Sequence, residues 1–194
     1  KRLMNESRSY DGLPLKTVLD NREVARLVTR IQNKKGVKVR HRLIRSYPSK
    51  SSSSHLIGHI GRISKADQKQ LEKNGEKESY SGFTHIGKLG VEQSYENLLR
   101  GKVGYQHIEV TAGGQMIREL SKSPPLPGKN VQLTIDSQLQ KLIESEYNNR
   151  LGAAVAIEPS SGEILAFVSM PNFNPNLFID GVSSQVWSEL NSSP

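Results

Sequence analysis

Two continuous apolar runs, Ala153–Ile157 and Ile164–Val168, flank the turn Pro159-Ser160-Ser161-Gly162 near the end of this 194-residue chain. Runs of that kind suit strands covered on both faces, whereas a sheet with one wet face alternates apolar and polar residues. Two strands are too few to stand alone as a sheet. The hairpin is therefore expected to be central in a larger sheet, yet only 26 residues follow Val168. This half reads as a domain cut off after its opening. Just upstream, Val131–Ile135 alternates as a strand and Asp136 caps a helix. Leu139, Leu142, Ile143 and Tyr147 form the expected buried stripe of that helix.

The front of the chain has a different texture. Asp20 and Glu23 make a capping box, and Val24, Leu27, Val28 and Ile31 recur at helical spacing, with Lys34 and Lys35 in the last turn and Gly36 beyond it. A strand is predicted over Val37–Leu43, alternating with Lys38, Arg40 and Arg42 so that the three cations share one face. Ser49–Ser54 reads as a polar, mobile loop, and His55–Ile63 as a short strand with glycines at Gly58 and Gly61. Ser64 and Asp67 open a second helix that Asn74-Gly75 closes. A third is predicted over about Leu89–Arg100, with Val91, Tyr95, Leu98 and Leu99 on one face and Gly101 beyond it. Tyr105–Thr111 and Met116–Leu120 flank Gly113-Gly114 as a hairpin. Ser121–Gly128, with three prolines, is the natural linker. The reading is thus an α+β fold in two parts, residues 1–122 and an incomplete 123–194.

Charge narrows the possible partners. The net charge of +8 is concentrated between Val24 and Ala66, where eleven Lys and Arg meet no Asp or Glu; that segment carries +11 and the rest −3. A lobe of this kind attracts nucleic acid, anionic lipid headgroups or an acidic partner, unless it is simply a solvated face. The chain has no cysteine and no apolar run near the ~18 residues a spanning helix needs. It opens on Lys1 without a secretory leader, so the expectation is a soluble piece of something longer.

Candidate chemistry is sparse. Gly82-Phe-Thr-His-Ile-Gly87-Lys88 has the spacing of a phosphate-binding loop, but Leu89 stands where a magnesium-binding hydroxyl is needed. His55 and His59 lie four apart with no acidic or sulfur partner nearby to complete a metal site, and glycines argue against a helix there. His41 and His107 fall within strands and read as structural. A penicillin-sensitive serine needs Ser-x-x-Lys, so that the amine stands one helical turn from the hydroxyl. No lysine here has serine three positions before it, and neither Ser-x-Asn, Lys-Thr-Gly, Lys-Ser-Gly nor Gly-x-Ser-x-Gly occurs. No catalytic, cofactor or metal residue is therefore assigned.

Three stretches resemble a known family. Gly87-Lys-Leu-Gly90-Val-Glu92-Gln-Ser-Tyr95-Glu-Asn-Leu-Leu-Arg-Gly101 resembles the glycine-bounded helix motif in the pedestal of class B penicillin-binding proteins. The run from Gly128 through Asp136 to Gln140 resembles the entry to their transpeptidase domain. Residues 153–159, 161–166 around Gly162, and 169–176 resemble its first hairpin and the loop that follows. Pro175–Ser184 is similar to the elongation-specific branch of the family. The resemblance implies a periplasmic enzyme of rod-shaped growth, held at the inner membrane by an upstream helix. It would cross-link peptidoglycan stem peptides through a serine acyl-enzyme downstream of these residues. It also implies that the pedestal docks the elongation glycosyltransferase RodA and the scaffold MreC. Gly87, Gly90, Glu92, Tyr95, Gly101, Asp136 and Gly162 are then structural positions, with Tyr95 and Leu99 packed into the pedestal core. Lys38, Arg40 and Arg42 are candidates for a face against anionic headgroups or a partner. The alternatives are a serine transferase or hydrolase of another kind and a basic nucleic-acid- or anionic-surface-binding module; nucleic acid is not expected, since the lobe lacks interleaved aromatics.

Overall fold

The computed structural model describes residues 15–16, 19–31, 36–37, 39, 44–113, 116–148, 150–179 and 181–192. Helix α1, Asn21–Ile31, begins at the Asp20/Glu23 box. The Glu23 N–H donates to Asp20 Oδ1 at 2.7 Å, and the Asp20 N–H to Glu23 Oε2 at 3.2 Å. Lys34, Lys35, Lys38, Arg40 and Arg42 lie outside the described residues, and with them most of the predicted basic strand.

The serine tract is a run of tight turns where a mobile loop was predicted. Lys50 N–H donates to Tyr47 O at 3.0 Å and Ser52 N–H to Ser49 O at 3.1 Å, and Ser54 is buried at the start of a short helix, α2, Ser54–Ile57. The strand predicted over 55–63 is therefore shorter: Gly58 closes α2, and only Ile60–Arg62 forms strand β1. Helix α3, Lys65–Lys73, has the predicted capping box, with Ser64 accepting from Asp67 N–H and Asp67 from Ser64 N–H. Strand β2, His85–Gly87, pairs antiparallel with β1.

The single helix predicted over 89–100 is two, α4 Gly90–Ser94 and α5 Glu96–Leu99, broken where Tyr95 takes φ −111° and ψ 20°. The break turns Tyr95 outward to 45% exposure, against the prediction that it would fill the core. Arg100, just after α5, lays its guanidinium 3.7 Å from the centre of the Tyr80 ring, a cation–π contact that covers the aromatic face instead.

Strands β3, Tyr105–Val110, and β4, Met116–Ser123, form the predicted hairpin with register shifts at two points. β4 runs three residues into the expected linker. The rest of that linker is fixed to the end of α5 and the residues after it: Lys102 and Leu126 exchange N–H to O bonds of 2.9 and 3.0 Å, and Lys129 N–H donates to Leu98 O at 2.7 Å.

No strand forms at 131–135. Instead the chain runs along the edge of a later strand before turning into helix α6, Ser137–Glu146. Asp136 caps α6 as predicted, accepting from the N–H groups of Gln138 and Leu139 at 2.8 and 3.1 Å. The buried stripe differs from the predicted one: Leu142 is 58% exposed, while the polar Gln140 is buried at 1%. Strands β5, Gly152–Ile157, and β6, Ile164–Met170, pair antiparallel with Ala154 opposite Val168 and Ala156 opposite Ala166. Ala166 and Val168 are buried, whereas Val155 and Ile157, on the other face, are exposed, so among the described residues this sheet has two strands and one open face. A 3-10 turn, Pro175–Phe178, and helix α7, Ser184–Ser192, complete the chain.

Two units result, Lys1–Leu43 with Gly104–Ser123, and Ile44–Val103 with Pro124–Pro194. The second holds the buried apolar core, Tyr47, Leu71, Tyr80, Ala166, Val168 and Ile179.

Candidate functional site

The glycine-bounded motif is built around a buried carboxylate. Glu92, on α4, is 2% exposed, and Arg45 Nε and Nη2 both donate to its Oε1 at 2.6 Å. Burial alone would lower the Arg45 pKa; the Glu92 charge more than offsets that and moves it up. Tyr47 lies alongside, its hydroxyl oxygen accepting the Ile60 N–H at 3.0 Å. Burial, then the Glu92 charge, pushes the Tyr47 phenol up to about 12. Glu96 accepts the Gly87 N–H at 2.8 Å, and burial raises its carboxyl above the usual range against that bond and the Arg100 charge.

All three glycines of the motif answer to backbone approach: a Cβ on Gly87 would stand 2.2 Å from Glu92 O, and Gly90 and Gly101 also take a left-handed backbone. At Gly90, φ +60°, a Cβ would stand 2.3 Å from Leu56 O and 2.8 Å from Gly58 N. At Gly101, φ +73°, it would stand 2.4 Å from Leu126 O, which is how the proline-rich connection passes so close to the end of α5. Both spacings are far below van der Waals contact, and the left-handed backbone disfavours any side chain. Gly162 has open space around it and serves the turn between β5 and β6, its N–H donating to Glu158 O at 2.8 Å.

A second set of residues ties the pedestal motif to the far end of the chain. Tyr47 N–H donates to Asn176 Oδ1 at 3.0 Å, and Asn176 Nδ2 returns a bond to Tyr47 O at 2.9 Å. Phe173 N–H donates to Ser54 Oγ at 3.2 Å, and Ser53 N–H to Glu144 Oε1 at 2.9 Å. His55 Nε2 lies 2.9 Å from Pro171 O, and His85 Nε2 lies 2.7 Å from Ile179 O. Gln140 does the work of a third strand on β6: its Nε2 donates to Phe167 O at 2.9 Å and its Oε1 accepts the Phe167 N–H at 2.8 Å. Thr134 Oγ1 and Asp136 N–H bond to Ile164 O and Leu165 O on the same strand. Tyr47, Ser54, Gln140 and Asn176 carry this junction and were not singled out from the sequence. The spaced Asn and Pro residues of 171–176 were the one local signal.

Replacing Gln140 with Leu keeps the volume and strands both Phe167 groups. A loss of about 2 kcal/mol is expected, since an orphaned buried polar group costs roughly 1–3 kcal/mol. Urea unfolding measures it; an unchanged midpoint would mean that water or a neighbour satisfies the strand.

The candidate loop and the buried serine are each engaged within the chain. Lys88, from the loop with phosphate-binding spacing, is paired with Asp67, whose carboxyl is lowered because bonds from Lys88 and Ser64 outweigh the opposing effect of burial. Ser54 Oγ accepts the Phe173 N–H at 3.2 Å. Among the described residues no three His, Asp or Glu side chains gather to hold a metal, and no helix is long and apolar enough to cross a membrane.

Comparison with known proteins fixes the lineage. The family model of the penicillin-binding protein dimerisation domain matches residues 1–133. The chain belongs to that family. Over 97% of its length the chain is 38% identical to the peptidoglycan D,D-transpeptidase MrdA of Escherichia coli, covering 30% of that protein. Penicillin-binding protein 2 of Pseudomonas aeruginosa is 40% identical in a solved structure, with a TM-score of 0.64 over 80% of this chain and 30% of its own. A Helicobacter pylori penicillin-binding protein 2 in complex with MreC is 27% identical, with a TM-score of 0.75 over 99% of this chain and 36% of its own. The resemblance to elongation-type class B penicillin-binding proteins is borne out. The chain spans about 30% of the length of the curated relatives it matches.

Proposed function

We propose that this penicillin-binding protein segment is the docking pedestal and the opening stretch of the catalytic domain of a peptidoglycan D,D-transpeptidase, whose acylating serine lies outside these residues. The observation that carries this is the similarity to MrdA along 97% of the chain, while no Ser-x-x-Lys occurs in it. In this reading residues 1–122 are pedestal and 123–194 the start of the transpeptidase domain. The buried junction around Tyr47, Glu92 and Asn176 sets the two against each other so that a partner held by one is presented correctly to the other. MreC is the partner favoured, since a relative with the same fold is seen bound to it. RodA, the periplasmic face of the inner membrane, and headgroup contacts through Lys38, Arg40 and Arg42 follow from the same lineage.

The test has two arms. The 194-residue chain is expected to capture the soluble region of MreC, and to remain unlabelled by a fluorescent penicillin. A covalent penicillin adduct on this chain would overturn the account of a missing nucleophile. Failure to hold MreC, with the chain folded by circular dichroism, would overturn the docking role.

A further inference from the structure

Three imidazoles from the 55–85 stretch hold the 171–179 segment, and they hold it differently. His55 Nε2 meets Pro171 O and His85 Nε2 meets Ile179 O, so each ring already offers a proton to a carbonyl. A charged ring would do the same and bond more strongly. His59 is the exception. It is 8% exposed, stacked on Phe178 with centroids 4.0 Å apart and planes at 28°, and set edge-on to Phe173 at 5.9 Å. Its Nδ1 is buried with no hydrogen-bond partner. A proton there would bury a cation whose new N–H has nothing to accept it, a cost that stacking on an aromatic face offsets only in part.

The surrounding charges do not relieve it. Lys88 follows β2 and is cationic, and its backbone N–H donates to His59 O at 2.9 Å. Arg62, from β1, lines the same cleft. His55, from α2, also meets Phe173 edge-on at 5.1 Å. Asp67 of α3 is engaged with Lys88, and Glu92 of α4 with Arg45. The 3-10 turn and the 171–174 loop present aromatic rings, and α7 presents Trp187.

We propose that His59 is an acid-sensitive latch: protonating its ring releases the 171–179 segment from β1 and β2, while the elements on either side stay folded. The direction of its titration agrees, since burial first and Lys88 second lower the His59 pKa. In the closed state the ring is neutral, and in the open state it titrates near the ordinary value of about 6.5, so the open state binds more protons. Closure is thus fully favoured above that pH and weakens as the pH falls below it.

Trp187 is the only tryptophan in the chain and lines the same open cleft of about 500 Å³ as His59 and Phe178, so its fluorescence reports the latch locally. In the 194-residue chain, lowering the pH from about 7.5 to about 5 spans the ordinary histidine range. The expected result is a reversible red shift in Trp187 emission over that interval, with the far-ultraviolet circular dichroism unchanged. The shift is expected to vanish in His59→Phe and to persist in His55→Gln. Flat emission in the unmodified chain, or the same transition in His59→Phe, would overturn the proposal. Should His59→Phe fail to fold, ring-proton NMR of the unmodified chain decides: titration of His59 below about 6.5 supports the latch, and titration at or above it ends it.

Discussion

Gly90→Ala is expected to leave little folded chain. The residue sits at φ +60°, where a side chain costs roughly 1–2 kcal/mol by itself. The larger cost is steric. The new Cβ would stand 2.3 Å from Leu56 O and 2.8 Å from Gly58 N, both main-chain atoms that no rotamer change can move. Gly58 cannot yield, because it is pinned the other way: a Cβ on it would lie 1.9 Å from Leu89 O. The turn after α2 and the start of α4 are therefore pressed together backbone to backbone, and separating them uncovers Glu92 and Tyr47 beneath. A penalty above about 3 kcal/mol is a large share of the roughly 5–15 kcal/mol that holds an ordinary domain. Gly75→Ala is the matched control, with φ +71° and no atom within 4 Å of its added Cβ. It is expected to lose only the left-handed penalty. Urea unfolding of both variants separates strain from collision; equal losses would show that the close approach of the two loops contributes nothing.

The features readable from sequence are those whose cause is local. The caps at Asp20, Ser64 and Asp136 were legible because a short polar side chain and the amides it serves lie within three residues. The hairpins were legible from their turns. What escaped was polar burial by distant partners. Apolar periodicity gave α6 a face led by Leu139 and Leu142, yet Gln140 is the residue inside, because Phe167, 27 positions later, needs its amide. The stripe Val91, Tyr95, Leu98 and Leu99 fits one helix, but Arg45 pulls Glu92 inward from 47 positions away and the helix breaks at Tyr95. The same reasoning explains Asn176, whose partner Tyr47 is 129 positions away. Among the candidate positions, Glu92 was legible as a structural position; which residue pairs with it was not, because Arg45 lies 47 positions away.

Glu92→Ala tests that carboxylate. Breaking a buried ion pair typically costs about 3–5 kcal/mol when the remaining charge is trapped. Here the Arg45 side chain is 42% exposed and can turn into water, so the expected loss is smaller, about 2–3 kcal/mol, once screening is allowed for. Glu92→Gln keeps an oxygen acceptor for Arg45 and is expected to lose about half as much, in line with charged bonds being roughly twice as strong as neutral ones. A second readout separates this from plain loss of packing. With Glu92 in place the Tyr47 phenol is held up to about 12, by burial and then by the carboxylate; without the carboxylate, burial is opposed by the Ile60 amide and the Arg45 charge, and the value is expected to fall toward the ordinary 10. A folded-state value above the unfolded one means that Tyr47 stabilises the fold fully below about pH 10, and that this contribution drains away as the pH rises toward 12. The alkaline limb of the stability curve should therefore be shallower in both variants. Tyrosine ring NMR across that range, alongside urea melts at neutral pH, measures the two effects on one sample. Unchanged Tyr47 titration in Glu92→Ala would mean that the carboxylate does not face the phenol, and the buried junction would then have to be redrawn around Arg45 alone.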